Sequence, residues 1–409
     1  MPDVAPLPER ARLFHVGIPK SGTTSLQMAA SNSRDELRRH GVLYPGKAMN
    51  QRLPVLSFMG RRWGWTAEGI PDKKFWNRLM EEIEEDTRRR IWFGHEFASE
   101  ADEEMAKRFA DAIGPNCHVV VTLRSPGAIL PSAWQQYIKA GVAIPFDEWL
   151  EAVIADPPNR KVTKGFHDRN NQSLVVRRWA GAVGADRVTV IVLDKKRPEL
   201  LFNSFEQLLG LPIGMLKTPE IGGFASNRGL TVPEVELFVE LNKLIRPHGV
   251  EWDEFERIVR NGAQRRIMDS RTADEPKPQL PAWAVDRASE LGTVYAKEIA
   301  ETGVQVIGDL DLLTEKVAAR PADQELPSDI PISLAAEAMA GMLSAASWRG
   351  AFFDEKDATS VEREKVMRKA AIDKAARGLS LAEVARFGWR FVTIRLNRVR
   401  IRIGRMFGR

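Results

Sequence analysis

Residues 14–27, FHVGIPKSGTTSLQ, constrain this chain more than any other stretch. Residues 14–18 are a short apolar run that reads as a buried strand. Pro19 ends it, because proline brings no N–H to a ladder. Gly22 lets the backbone approach a ligand with no Cβ in the way. Thr23, Thr24 and Ser25 then open a helix. Its first N–H groups have no partner inside the helix, and its dipole is positive at that end. An anion is the natural guest of such a corner, and Lys20 adds a full positive charge beside it. Strand, lysine and three hydroxyls together describe a phosphate-type cradle rather than a chance glycine turn.

The cradle differs from a Walker A loop in an informative way. That motif places lysine directly after its second glycine, where it reaches the β and γ phosphates. Here Gly17 and Gly22 keep the spacing, Thr23 occupies the lysine position, and the lysine has moved inside the loop to Lys20. A nucleoside triphosphate would lose its usual clamp; a donor with a shorter 5′ group would not need it. PKSGTTS resembles the 5′-phosphosulfate loop of sulfotransferases that use 3′-phosphoadenosine 5′-phosphosulfate (PAPS). The resemblance implies donor binding by Lys20, Ser21, Gly22, Thr23, Thr24 and Ser25, with Lys20 also neutralising the leaving phosphate.

A second stretch speaks as clearly. HVVVTL, residues 118–123, is the best strand in the chain, with four β-branched residues. It runs into Arg124-Ser125-Pro126 and a helix containing Ser132. An arginine at a strand end and a serine eight residues later can converge on one phosphate, as a bidentate clamp and a further donor. LRSPGAILPSAW resembles the 3′-phosphate element of the same sulfotransferases, with Arg124 and Ser132 at the matching separation. Between the two grips, the short strand 91–94 ends in His95-Glu96, where strand ends of a parallel sheet converge on a ligand crevice. The resemblance implies a proton acceptor there. Carbohydrate-type and bacterial members carry a glutamate at this strand end, and the cytosolic steroid and phenol branch a histidine. Glu96 is therefore the first candidate and His95 the second. The R-K-G-x-x-G-D-W-K element of the cytosolic branch is absent. Asn227-Arg228-Gly229 is the nearest polar loop in a suitable place, so Asn227 and Arg228 are the candidates for the rest of the donor site. The departure points toward the bacterial and carbohydrate-type members.

The remaining residues frame these motifs. Strand-like runs near 14–18, 42–44, 91–94, 118–123 and 188–193 alternate with amphipathic helices. They predict an α/β fold: a P-loop nucleotide-kinase-like parallel sheet of about five strands with helices on both faces. The chain of 409 residues, 44% hydrophobic, suffices for one such domain over residues 12–315. Residues 319–331 read as a linker, and 332–409 as a helical appendage. A single cysteine, Cys117, excludes an internal disulfide framework and fits a reducing compartment. The charged, Pro-rich start and the lack of a long apolar run predict neither signal peptide nor spanning helix, hence a cytoplasmic protein. No His/Cys/Asp/Glu group has metal-ligand spacing, so no metal is expected. Arg61, Arg62, Trp63 and Trp65 form either an acceptor-binding lip or a loop pinned by its tryptophans. The lip favours a glycan or glycoconjugate as acceptor. Residues 386–409 hold eight arginines and no acid, beside an apolar 3-4-3-4-3 spacing from Trp389 to Met406. Such a basic amphipathic helix suits an anionic membrane surface, or else packs on the protein or a partner subunit. Nucleic acid is not expected, since no aromatic interleaving of the single-strand kind accompanies the arginines. Two rival functions share the cradle: a P-loop phosphotransferase, and a non-catalytic nucleotide- or anion-binding protein.

Overall fold

The computed structural model describes residues 4–62, 69–156, 165–217, 228–270, 275–322 and 329–347. At its centre is a single sheet of six parallel strands. They are β1 (Arg12–His15), β2 (Val42–Leu43), β3 (Arg90–Gly94), β4 (Cys117–Leu123), β5 (Val188–Val192) and β6 (Gln305–Ile307). Their spatial order is β2-β3-β1-β4-β5-β6. β1 lies between β3 and β4, with Phe14 beside Phe93 on one side and Val119 on the other. From β1 the chain departs toward β2, and from β3 it crosses back over β1 to reach β4. That reversal of direction opens a crevice at the carboxyl ends of β1, β3 and β4.

Strand alternation divides the core into two layers. Phe14, Val119, Val121, Val188 and Val190 enter one cluster, with Phe109 of the helix Glu103–Ile113 and Trp179 of the helix Gln172–Val183. Leu13, Val120 and Ile191 enter the other, with Leu26 of the helix Thr23–Asn32 and Phe205 of the helix Leu200–Leu209. Both faces are covered, which is why β4 and β5 read as continuous apolar runs rather than alternating ones. The Phe14 ring sits 5.1 Å from Phe93, 5.3 Å from Phe109 and 5.5 Å from Trp179, centroid to centroid. The root of the cradle strand is thus locked in an aromatic cluster.

Several expectations change in detail. The sheet has six strands, not about five: β6 pairs Gln305, Val306 and Ile307 with Thr189, Val190 and Ile191. Three residues with an exposed first member show no period. The first helix stops at Ser33 and a second, Arg34–Arg39, follows. Between β2 and β3 lies a helix not among the expected elements, Arg52–Met59, with Pro54 inside it. A 3-10 turn, Glu96–Glu100, follows β3, and the helix Glu103–Ile113 is capped by Asp102, whose side chain accepts from Met105 N–H.

The helix Ile332–Ser347 is packed on the same core through Leu334 and Ala338. It crosses a π-helical stretch, Glu256–Gln264, glycine to glycine: a Cβ on Gly341 would lie 2.4 Å from Gly262 O. Arg257 Nη1 donates to Ala345 O at 2.8 Å, and Arg266 pairs with Glu337 at 2.6 Å. Arg320, in the expected linker, is tied back by its N–H to Leu280 O and by Nη2 to Asp147, both at 2.7 Å. The basic stretch 386–409, Trp63, Trp65 and Asn227 lie outside the described residues. Among the described residues, no helix is long and apolar enough to cross a membrane.

Candidate functional site

Past β1 the backbone continues along β4, Val16 N–H donating to Val120 O at 2.8 Å and Ile18 N–H to Thr122 O at 3.2 Å. It then turns sharply. Lys20 has φ 72° and Gly22 φ 81°. For Gly22 the left-handed conformation is relaxed, and a Cβ there would come 2.5 Å from Leu201 Cδ2. For Lys20 it is strained, a condition that clusters at functional sites. Gly22 is also the residue before the helix Thr23–Asn32, and no side chain caps that end. Leu26 N–H makes the first intrahelical bond, to Gly22 O at 3.2 Å. The N–H groups of Thr23, Thr24 and Ser25 precede it and point out of the helix end.

Ser21 holds the loop's shape. It is fully buried, its Oγ lies 2.5 Å from Ile18 O and 2.7 Å from Thr122 Oγ1, and its N–H donates to Ile18 O at 3.1 Å. Four of the other expected residues, Lys20, Thr23, Glu96 and Arg124, meet at the crevice. Thr23 Oγ1 donates to Glu96 Oε2 at 2.6 Å. Arg124 Nη1 donates to Lys20 O at 3.2 Å. Burial lowers the Lys20 pKa, with Glu96 opposing the shift and Arg124 adding to it. Cradle, β3 end and β4 end therefore share one small volume.

Gln172 positions Arg124. This buried side chain donates Nε2–H to Arg124 O at 2.7 Å, and its Oε1 accepts from Arg124 N–H at 3.4 Å. Ser132 lies on the helix Pro126–Lys139, half-buried, on the turns that follow Arg124. His95 is buried, and its Nδ1 accepts from Phe97 N–H at 3.2 Å, closing the 3-10 turn that Glu96 begins. Burial lowers its pKa, so the ring is neutral at pH 7. A neutral imidazole that accepts at Nδ1 carries its proton on Nε2 and has no second acceptor.

Arg228 has a bracing role. Nη1 and Nη2 grip Glu234 at 2.8 and 2.9 Å, and Nη2 also donates to Ile267 O at 3.2 Å. Glu234 is fully buried and completes a capping box with Thr231 on the helix Val232–Ile245. Arg61, of the proposed lip, is held at 2.8 Å by Glu100, which also binds Arg169 at 3.0 Å.

Three further cations were not legible as site residues. Burial, then Lys20, Arg228 and Arg260, push the Lys139 pKa down to about 7. Arg260 rises from the π-helical stretch, and Arg52, at the start of its helix, acts on both Arg260 and His95. Among the described residues, Lys20, Arg124, Lys139, Arg228, Arg260 and Arg52 act on this crevice together with Glu96 beside Lys20, Glu234 on Arg228 and Glu256 3.5 Å from Arg260. A low-dielectric crevice with this excess of positive charge concentrates anions. Lys139 lies two helical turns after Ser132 on the same face, the spacing that could have drawn attention to it.

No protein-family model matches this chain, and no curated protein matches it. Among solved structures, a sulfotransferase from Alicyclobacillus acidocaldarius is similar over 57% of this chain and 92% of its own, with TM-score 0.39 and 18% identity.

Proposed function

We propose that this chain is a sulfotransferase that moves the sulfuryl group of PAPS to a hydroxyl or amine of an acceptor, in the class of glycans and glycoconjugates. The observation that carries the reading is the meeting of three elements. An uncapped helix start with Lys20 beside it, an arginine anchored on the next strand, and a carboxylate, Glu96, bonded to the first residue of that helix lie together. A plain anion site has no use for the carboxylate, which weakens anion binding; group transfer to a protic acceptor does.

In this reading the N–H groups of Thr23, Thr24 and Ser25 and the ammonium of Lys20 hold the 5′-phosphosulfate. Arg124 and Ser132 hold the 3′-phosphate. The acceptor oxygen or nitrogen forms a bond to sulfur as the bond from sulfur to the bridging phosphate oxygen breaks, and 3′,5′-bisphosphoadenosine leaves. The acceptor's proton passes to Glu96, a contribution of ~10²–10⁴-fold. Lys20 stabilises charge growing on the bridging oxygen, where a preorganised donor in a dry site acts most strongly. His95, its Nδ1 engaged, orients the turn that presents Glu96. The test is transfer of label from sulfur-labelled PAPS to a panel of hydroxylated and aminated glycans. Label should move to at least one acceptor with the parent protein and to none with Lys20→Ala. Equal transfer by both would overturn the assignment.

A further inference from the structure

Beneath the cradle, buried polar side chains form a continuous chain from β1 and β4 to the loop. Thr122 Oγ1 of β4 lies 3.2 Å from His15 Nε2 of β1 and 2.7 Å from Ser21 Oγ, which in turn lies 2.5 Å from Ile18 O. All three side chains are buried. The chemistry of the far end fixes the direction of every bond. A carbonyl oxygen only accepts, and two oxygens this close need a proton between them, so the Ser21 hydroxyl donates to Ile18 O. Ser21 Oγ then accepts from the Thr122 hydroxyl. With that proton used, Thr122 Oγ1 accepts from His15, which therefore carries a proton on Nε2. Burial, with His95 adding to it, lowers the His15 pKa to about 3, so the ring is the neutral Nε2–H tautomer at pH 7.

The chain ends on the strained part of the loop. Ser21 N–H also donates to Ile18 O, at 3.1 Å, closing a four-residue turn with Pro19 second and Lys20 third. A turn with proline second and a left-handed third residue prefers glycine at the third place; here Lys20 fills it, with φ 72°. Strain of this kind persists only where the surrounding structure over-determines it. Gly17 leaves the room: a Cβ there would lie 2.8 Å from Thr122 Oγ1 and 3.1 Å from His15 Nε2. We propose that His15 and Thr122 are positioning residues for the cradle, holding Lys20 in its left-handed turn through Ser21. The ammonium and the helix-start N–H groups are then arranged before a phosphate enters, so binding does not have to order them. The identity of the ligand rests on the donor reading above; the turn and the tautomer do not.

Two measurements on the full chain test this. The chain has six histidines, so nitrogen-15 spectra of histidine-labelled protein can resolve His15, assigned by its loss in His15→Gln. Its proton should sit on Nε2 at pH 7. The second is calorimetric titration with pyrophosphate and with 3′,5′-bisphosphoadenosine, well below the melting temperature. Thr122→Val should bind ~5- to 30-fold more weakly, the ~1–2 kcal/mol of a left-handed residue expressed as affinity. Thr122→Ser, which restores the hydroxyl, should recover the affinity. Thr122→Val combined with Ser21→Ala should bind no worse than the weaker single variant, because both cut the same chain. A merely structural hydroxyl would lower the melting temperature and leave the affinity of the folded chain alone. Should Thr122→Val not fold, Ser21→Ala takes its place with the same expected loss. Unchanged affinity in the variant used, additive losses in the double variant, or a proton on Nδ1 of His15 would overturn the proposal and leave the donor reading intact. A parent that binds pyrophosphate but ignores 3′,5′-bisphosphoadenosine would remove the donor reading, with the losses then read on pyrophosphate. Binding of neither would overturn both.

Discussion

Glu96→Gln separates catalysis from binding at the centre of the site. Glutamine keeps an oxygen that can accept from Thr23 Oγ1, so the 2.6 Å contact and the turn behind it survive. Two quantities change. Proton acceptance disappears, which should lower the transfer rate by ~10²–10⁴-fold. A negative charge also leaves the immediate surroundings of Lys20, whose pKa it raises. At an effective dielectric of ~20, charges about 7 Å apart interact by ~2 kcal/mol, and partial solvation of the crevice reduces this toward ~1 kcal/mol. The donor and its bisphosphate product should therefore bind ~5- to 30-fold more tightly. The assay is single-turnover transfer at saturating donor, paired with calorimetry on 3′,5′-bisphosphoadenosine. Slow transfer with tighter binding is the expected signature. A rate within a few-fold of the parent, or weaker product binding, would refute the placement of Glu96 as the base beside the anion. His95→Asn should slow transfer less than Glu96→Gln; the reverse order would hand the proton to His95.

Arg124→Ala and Ser132→Ala should erase the preference for PAPS over its 3′-dephospho analogue, measured by competitive binding. A preference retained at the parent level would mean that other groups hold the 3′-phosphate. Lys139 gives the ligand-free fold a pH dependence whose sign follows from its depressed pKa, about 7 in the folded chain. The unfolded chain binds the proton more tightly, so stability in urea should rise from pH 7 toward pH 10, by up to ~1.4 kcal/mol per pH unit. Lys139→Met should flatten that rise. Gly341→Val should destabilise the whole domain by ~1–3 kcal/mol, read from urea unfolding, because its Cβ meets Gly262 O at 2.4 Å. For the tail, we propose attachment to anionic membrane surfaces through residues 386–409, at ~1 kcal/mol per arginine near the surface. The full chain should float with anionic vesicles and a chain truncated after Gly378 should not; equal behaviour of the two would remove the idea.

What the sequence made legible follows from local chemistry. The cradle was readable because its parts are contiguous: an apolar run, a proline, a glycine with positive φ, and a helix start all act within a dozen residues. β4 and β5 were readable because burial on both faces demands an unbroken apolar run. The contact of Arg124 with Lys20 O was foreshadowed by strand ends meeting at the crevice, although the two lie far apart in the chain. What stayed hidden depends on partners brought together only by folding. Nothing local marks Gln172 as the side chain that fixes Arg124, or Glu234 as the acid that engages Arg228. Ser21 looks like its neighbouring hydroxyls, yet the turn directs it inward to Thr122. Lys139 reads as an ordinary lysine at a helix end, a place where positive charge is favourable for other reasons. Only burial against Lys20, Arg228 and Arg260 sets it apart. β6 was missed because three residues carry no period, and the helix Arg52–Met59 because proline stood inside it.

We propose that the crevice between β1, β3 and β4 is built for a donor with a short 5′ group and a 3′-phosphate. Calorimetric titration of the full chain with 3′,5′-bisphosphoadenosine, beside ATP with magnesium and 5′-AMP, tests it most directly. 3′,5′-Bisphosphoadenosine should bind at least ~10-fold more tightly than either rival, since Arg124 and Ser132 would add charge-assisted contacts that neither can use. Lys20→Ala should abolish that binding. Tighter binding of magnesium-ATP, or binding of 3′,5′-bisphosphoadenosine no tighter than that of 5′-AMP, would contradict it.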